Sequence, residues 1–362
     1  MKKLSIIFAG CFATVAGHAQ LVSSTDIFIG SGAIVTVNGE LSNTGTFKSE
    51  GDLHLRNGLT NLGDMSLKGQ VVMDGEGTQL IQSNSLIKTG TLVMSQMGKV
   101  VLRTPLLIER QLTLGDGILE NNDQTILSIA DGATVSGGSN RSHVKGYVRK
   151  SGSDEFRFPV GNGTHLQAFT VSKPGLYDEI QVGLINQNPS RLTAKRALEV
   201  EDLVADSYWS VQGLNEANPL AVSVNTETGN RQILQLRNSQ WNITPTTSNG
   251  NALSSEAVLR GATYFTIGTQ RPELAEKADV SIYPNPSNGA FEVRLKGFMP
   301  EENVSFDLID MAGKSFIKQE GQVKDLKTKY ALGNEVNNGS YILRVVRSGK
   351  NQVFNQKVSI NR

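Results

Sequence analysis

Between residues 26 and 140 glycine interrupts the chain every half-dozen residues or so, and the apolar runs left between the interruptions are only about three to five residues long. Runs of that length are too short for large sheets. They include residues 33–37, 52–55, 65–67, 70–73, 79–81, 91–94, 99–102, 106–108, 111–114, 126–129 and 133–135. Turn formers recur between them at Asn38-Gly39, Asn43-Thr44-Gly45, Asn57-Gly58, Asp74-Gly75, Asp116-Gly117 and Asp131-Gly132. Such irregular spacing suits coils of about 18 to 22 residues, the scale of a parallel β-solenoid. In that architecture one coil cannot bury its own apolar face, and stacking on the next coil creates a continuous aliphatic core. The same dipeptides are also the strongest short hairpin signal, so an antiparallel sandwich is the competing reading. Aromatic content favours the solenoid, since Phe28 and Phe47 are the only aromatic residues in the stretch.

From Ser142 onward the character changes. Tyr147 follows, then Phe156-Arg157-Phe158-Pro159-Val160-Gly161, and both tryptophans, Trp209 and Trp241, fall in this block. Strands are predicted at residues 167–172, 179–185, 208–211, 221–224, 232–236 and 264–267, with a short amphipathic helix over residues 192–204. Aromatic side chains bury large areas and favour sandwich cores, so residues 142–270 read as an immunoglobulin-like β-sandwich with longer connections. Residues 271–279 are polar and charged, as expected of a linker and processing region.

The last segment, residues 280–362, opens with Tyr283-Pro284-Asn285-Pro286-Ser287-Asn288-Gly289. Each proline forces extended backbone on the residue before it, and the following Ser, Asn and Gly are turn formers. Period-two alternation then marks strands at residues 291–295, 304–310, 340–346 and 352–360, with turns at residues 311–314 and 348–350. This order makes a small antiparallel sandwich. Its wording resembles the type A C-terminal sorting domain of type IX secretion cargo: the opening motif, then Asp307-Leu308-Ile309-Asp310-Met311-Ala312-Gly313-Lys314, Asn338-Gly339-Ser340-Tyr341 and Lys357-Val358-Ser359-Ile360. Tyr283, Pro284, Asn285, Pro286, Gly289, Gly339, Tyr341 and Lys357 are the positions that match the family's motifs, with Gly289 and Gly339 expected as turn glycines as well. The resemblance implies export across a Gram-negative outer membrane. It also implies as partners the type IX secretion machinery and its C-terminal signal peptidase, followed by attachment to surface lipopolysaccharide or release. The Gly-Tyr-Val-Arg-Lys, Phe-Arg-Phe-Pro-Val-Gly, Tyr-Trp-Ser-Val and Tyr-Phe-Thr-Ile-Gly words of residues 142–269 are similar to uncharacterised β-domains of surface proteins that precede this signal.

The N-terminus agrees with export. Lys2 and Lys3 precede an apolar run over residues 4–15, and Gly17-His18-Ala19-Gln20 supplies the small residues of a cleavage site between Ala19 and Gln20. No later stretch approaches the 18 apolar residues of a membrane span. Cys11 after small residues raises lipoprotein acylation as a rival reading, but the residues after it continue the apolar segment instead of starting a polar tether. Cleavage at Ala19 removes the only cysteine, leaving neither disulfides nor thiolate chemistry to the mature chain.

For chemistry the motifs are thin. A formal charge of +1 gives no reason to expect nucleic acid. No nucleophile elbow, zinc-protease helix, phosphate loop or dinucleotide fingerprint is present. His54, His143 and His165 form no local pair, so no metal or other cofactor is expected. Two polar sets invite comparison with polysaccharide-cleaving solenoids: Asp52, His54 and Arg56 on one strand face, and Asp116, Glu120 and Asp123 near a turn. Period-two alternation explains the first set better, as an exposed polar face, and ordinary turn chemistry explains the second better. Core packing is the leading reading of Tyr208, Trp209 and Trp241, with stacking on sugar rings as the alternative; alternation along residues 208–211 predicts that Tyr208 and Trp209 point to opposite faces. The sequence thus predicts an all-β secreted or outer-surface protein with a role in adhesion or surface structure, contacting a glycan or other cell-surface ligand and carrying no catalytic residue. The alternatives are a carbohydrate-active enzyme or binding module on the solenoid, and a subunit that assembles edge to edge through uncapped solenoid ends.

Overall fold

The computed structural model describes residues 20–172, 179–213, 220–226, 230–258, 264–271, 278–348 and 352–362. The expected signal segment with Cys11 and Ala19, most of the expected linker, and the turn at Gly349-Lys350 lie outside them. The chain divides into two compact units, one ending at Thr269 and one beginning at Gln270. Among the described residues the regular structure is β-strand, apart from two short 3-10 turns at Pro189–Arg191 and Val323–Asp325.

The first unit begins as the expected solenoid. Its strands pair in parallel with strands one coil away, and the pairings form three ladders. On the first, Leu21, Leu41, Leu59, Ile81 and Leu102 are in register. On the second, Ile27, Phe47 and Met65 align, and further along Ile87, Leu106, Leu127 and Val148 do. The third aligns Val35, Leu53, Val71, Leu92, Leu112 and Val135. These columns fill the interior: Leu41, Phe47, Leu53, Leu112 and Leu127 are completely buried. Each such apolar side chain contributes about 1.5–3 kcal/mol by leaving water. The coil from Leu41 to Leu59 spans 18 residues and the next, from Leu59 to Ile81, spans 22. Turn length therefore varies while the inner columns hold their register, and this is why the glycine spacing in the sequence is uneven.

The corners explain the glycines themselves. A Cβ on Gly69 would collide with the carbonyl oxygen of Gly51, and one on Gly63 with the carbonyl oxygen of Gly45, because at these corners the backbones of successive coils nearly touch. Asparagine lines the same corners from inside. Asn43 and Asn61 are buried, and the Asn43 amide donates to Asn61 Oδ1 at 2.7 Å while Asn61 donates to the Gly63 carbonyl at 3.0 Å. Buried amides demand such partners. Three strands, Asp64–Met73, Ile87–Leu102 and Leu106–Glu120, are longer than the sequence runs because they pass through corners without breaking, with register shifts between Thr89 and Thr91 and between Met94 and Ser95.

At its far end the solenoid passes directly into antiparallel sheet. Tyr147–Ser151 lies parallel to Leu127–Ile129 on one side and antiparallel to Glu179–Ile185 on the other. The sheet continues through Tyr208–Gln212, Tyr264–Gln270, Arg231–Arg237 and Gln240–Ile243. A second sheet contains Phe156–Phe158, Phe169–Ser172, Leu220–Asn225, Ala252–Val258 and Thr247–Asn249. One continuous core runs from Ile29 in the first coil to Ile267, with Phe169 packed 5.7 Å from Trp209 and 5.4 Å from Phe265.

One local expectation is corrected. Residues 192–204 do not form a helix: the 3-10 turn ends at Arg191, and the chain then runs extended against Gln240–Ile243 before the strand Val200–Leu203. Backbone bonds join Ala197 N–H to the Trp241 carbonyl at 2.8 Å and Trp241 N–H to the Lys195 carbonyl at 3.0 Å. That added layer changes the fate of the neighbouring aromatics. Trp209 enters the main core, while Tyr208 packs on the opposite side in a smaller core with Val200, Leu234 and Trp241. Alternation is obeyed, yet both faces are covered.

The second unit has a three-stranded sheet, Asp279–Tyr283, Ala290–Lys296 and Lys329–Ala331, and a four-stranded sheet in which Asn303–Asp310 and Gly339–Arg347 are central and Ser315–Gln322 and Gln352–Ile360 are the edges. Alternating residues from both sheets, among them Val280, Phe291, Phe306, Leu343 and Val358, make its core.

Candidate functional site: the joined ends of the second unit

The opening motif of the second unit contains two prolines, and a proline has no N–H to offer a neighbouring strand. The Asn285 side chain takes over that role. Its Nδ2 donates to the Lys357 carbonyl at 2.6 Å, and its Oδ1 accepts from Ser359 N–H at 2.9 Å, as a strand residue would do with its backbone. Ser287 resumes true backbone pairing, donating to the Ser359 carbonyl and accepting from Asn361 N–H, both at 2.8 Å. The first and last strands of the unit are thereby fastened together.

Beyond this seam Gly289 turns the chain. Its φ of +101° lies in the left-handed region, and a Cβ there would stand 2.7 Å from Arg362 Nε. The Arg362 guanidinium fills that space and donates to the Leu332 and Gly333 carbonyls at 2.6 and 2.8 Å. Arg362 N–H donates in turn to Asn338 Oδ1 at 2.9 Å. Tyr341 is buried, its ring edge-on to Phe316 at 5.5 Å and its hydroxyl donating to the Asn337 carbonyl at 2.8 Å. Gly339 opens the strand Gly339–Arg347 and is not among the glycines with positive φ, so it does not act as the expected turn glycine.

Words separated by about 70 residues thus meet on one edge. That edge is largely open: Tyr283, Pro284, Asn285, Pro286 and Lys357 are exposed, with the Arg294 guanidinium 5.0 Å above the Tyr283 ring. The pattern in the sequence did not reveal Arg362 or the bonding roles of Asn338 and Ser287, because their contacts are long-range and no local period marks them. Nor did it reveal the buried pair Glu302 and Arg347, which sits within the same unit.

The other candidate residues are distributed, and several of them have partners. His54 lies 2.7 Å from Asp74, which was not in the expected set, while Arg56 Nη1 donates to Asn38 at 3.2 Å. Glu120 accepts from Lys99 at 3.0 Å and Lys145 at 2.9 Å, and these two bonds, Lys145 first, hold its carboxyl below the usual range. Asp116 pairs with Arg141, and Asp123 is exposed in the turn beyond. His143 is buried and His165 exposed. Among the described residues no group of three or more His, Cys, Asp or Glu is placed to hold a metal ion. Tyr208, Trp209 and Trp241 are 5%, 2% and 0% exposed, so none offers a ring face to a sugar on the surface.

No curated protein matches the chain. Residues 281–361 match the family described as the secretion system C-terminal sorting domain, a span that includes every motif residue placed above. The second unit of this chain is therefore a C-terminal sorting domain, the export tail of a protein secreted by, or displayed on the cell surface through, the type IX secretion system.

Proposed function

We propose that the first unit is a non-enzymatic contact and spacer module, delivered to the outer face of the outer membrane for adhesion or surface structure. The observation that carries this reading is the commitment of three of its candidate titratable side chains to structural partners, with Glu120 held between two lysines, Asp116 on Arg141 and His54 on Asp74. A long aliphatic core with polar strands outside it gives rigidity and reach without chemistry. The paired sheets of residues 147–270 are read as a sandwich of immunoglobulin-like type, and the tail as a type A domain. Signal peptidase acts between Ala19 and Gln20, the secretion machinery engages the edge containing Tyr283 to Gly289, and its C-terminal signal peptidase removes the tail before attachment to lipopolysaccharide or release. The burial of Tyr208, Trp209 and Trp241 weighs against the carbohydrate-binding alternative.

Intact mass and both termini of the protein recovered from the surface of its native cells test the route. The expected product begins at Gln20 and ends between Arg271 and Ser281; a periplasmic product ending at Arg362 overturns it. Labelled protein that binds no glycan, cell or matrix component removes the adhesive half of the reading.

A further inference from the structure

The two ends of the solenoid differ. At the far end the first ladder runs into the bridge between Val144 and Val160, and the second into the antiparallel strand Glu179–Ile185. Lys150 closes the inner column there, following Ile108 and Ile129 in register, with its ammonium donating to the Ala130 and Ser151 carbonyls at 2.7 and 2.8 Å. At the near end, Leu21–Ser23, Ile27–Ile29 and Ile34–Val37 each pair only with the second coil, and among the described residues no strand lies on their outer side. The core shows the same gap. Leu21, Ile27, Ala33 and Val35 occupy inward columns yet are only partly buried, and Val22, Phe28 and Ile34 on the outside of the same coil are 59%, 56% and 67% exposed.

An open edge of this kind is a template for another strand, and proteins that remain single guard such edges with lysine, proline or inward charge. Residues 21–37 contain no proline and a single charge, Asp26, whereas the next coil carries Glu40, Lys48, Glu50 and Asp52. The absence of charge matters for the choice of partner. In a two-fold contact the same patch meets itself, so a patch carrying charges of one sign faces like charge on its copy and is repelled. A nearly neutral edge suits that arrangement. Head-to-tail stacking would need an equally open far end, and the first two ladders leave none there.

We propose that the first coil is a self-association surface: two copies join end to end through the outer edges of Leu21–Ser23, Ile27–Ile29 and Ile34–Val37, with strands antiparallel across a two-fold axis. The pairing extends the three aliphatic columns from one copy into the next and ends there, giving a closed dimer with a sorting tail on each chain.

Sedimentation of the full chain over a wide range of concentration tests this, with two triple variants in which Val22, Phe28 and Ile34 all become lysine or all become glutamate. These positions face solvent, so the variants retain their strand signal in circular dichroism. The wild type sediments as a dimer, each variant alone as a monomer, and an equal mixture of the two regains the dimer because opposite charges now meet. Leu62→Lys, an exposed apolar position on the third coil, leaves the dimer intact. A wild type that stays monomeric at the highest concentration overturns the proposal. So does a mass that climbs past two chains, a dimer that survives either triple variant, or a mixture that remains monomeric.

Discussion

Arg347 and Glu302 form a bidentate ion pair inside the sorting domain, with Nε 2.6 Å from Oε1 and Nη2 2.7 Å from Oε2, and the two side chains only 5% and 6% exposed. The guanidinium also lies 4.6 Å from the Phe298 ring and donates to Gln352 at 2.9 Å, while Glu302 accepts from Met299 N–H at 3.3 Å. Removing one partner strands the other charge in the interior, at a cost of about 3–5 kcal/mol, whereas replacing both with apolar residues of similar volume is often neutral. Arg347→Met is therefore expected to lower the unfolding midpoint of this domain in urea far more than Arg347→Met combined with Glu302→Leu. If the single variant unfolds with the wild type, the pair has no such role.

Asn285 substitutes for the N–H groups that Pro284 and Pro286 lack, and Asn285→Ala removes both of its bonds to the last strand. At about 1 kcal/mol for each net hydrogen bond, the loss is about 2 kcal/mol. Asn285→Asp keeps the acceptor for Ser359 N–H but faces the Lys357 carbonyl with a second acceptor, so it should fall no better than midway between wild type and alanine. Hydrogen exchange at Ser359, whose amide bonds directly to Asn285, reports the seam; unchanged protection in Asn285→Ala would sink this account.

Gly69 stacks on Gly51 with no room for a methyl group, so Gly69→Ala forces two coils apart. Overpacking of this kind destabilises by about 1–3 kcal/mol. Gly321→Ala is the comparison, because its Cβ would meet only Leu326 Cδ2 at 3.6 Å, an ordinary contact. Thermal unfolding should show a lowered midpoint for the first variant and little change for the second.

The solenoid was legible in the sequence because its constraint is local: a coil-to-coil contact at Gly45 and Gly63, or Gly51 and Gly69, excludes a side chain whatever the rest of the chain does. The transition at Tyr147–Ser151 was not legible as one shared strand. A single strand there serves two architectures, and a lysine at inward position 150 resembles an exposed one until the Ala130 carbonyl is placed beside it. The extended run near Lys195 was misread for a related reason. Its apolar spacing suits a helix, but pairing with Trp241 decides its shape, and that partner is remote in sequence. In the sorting domain the motif words were visible, while the contacts of Asn285 and Arg362 that join them exist only after folding.

His143 should make the first unit sensitive to acid. The ring is buried, and its Nδ1–H donates to the Ser139 carbonyl at 3.0 Å while Gly163 N–H donates to Nε2, also at 3.0 Å. Nε2 thus serves as an acceptor, and a proton there would break the Gly163 bond. Burial pushes the imidazole pKa below its ordinary 6.5, the Ser139 carbonyl opposes that shift, and His165 adds to it. Because the folded value lies below the unfolded one, the unfolded chain takes up a proton first as pH falls. Stability is then full above about pH 6.5 and declines as pH drops from there towards the folded value. His143→Gln does not titrate, so this variant, although weaker at neutral pH, should show a flatter dependence of unfolding midpoint on pH between about 6.5 and 5 than the wild type. Equal slopes in the two proteins would assign the acid sensitivity to other groups.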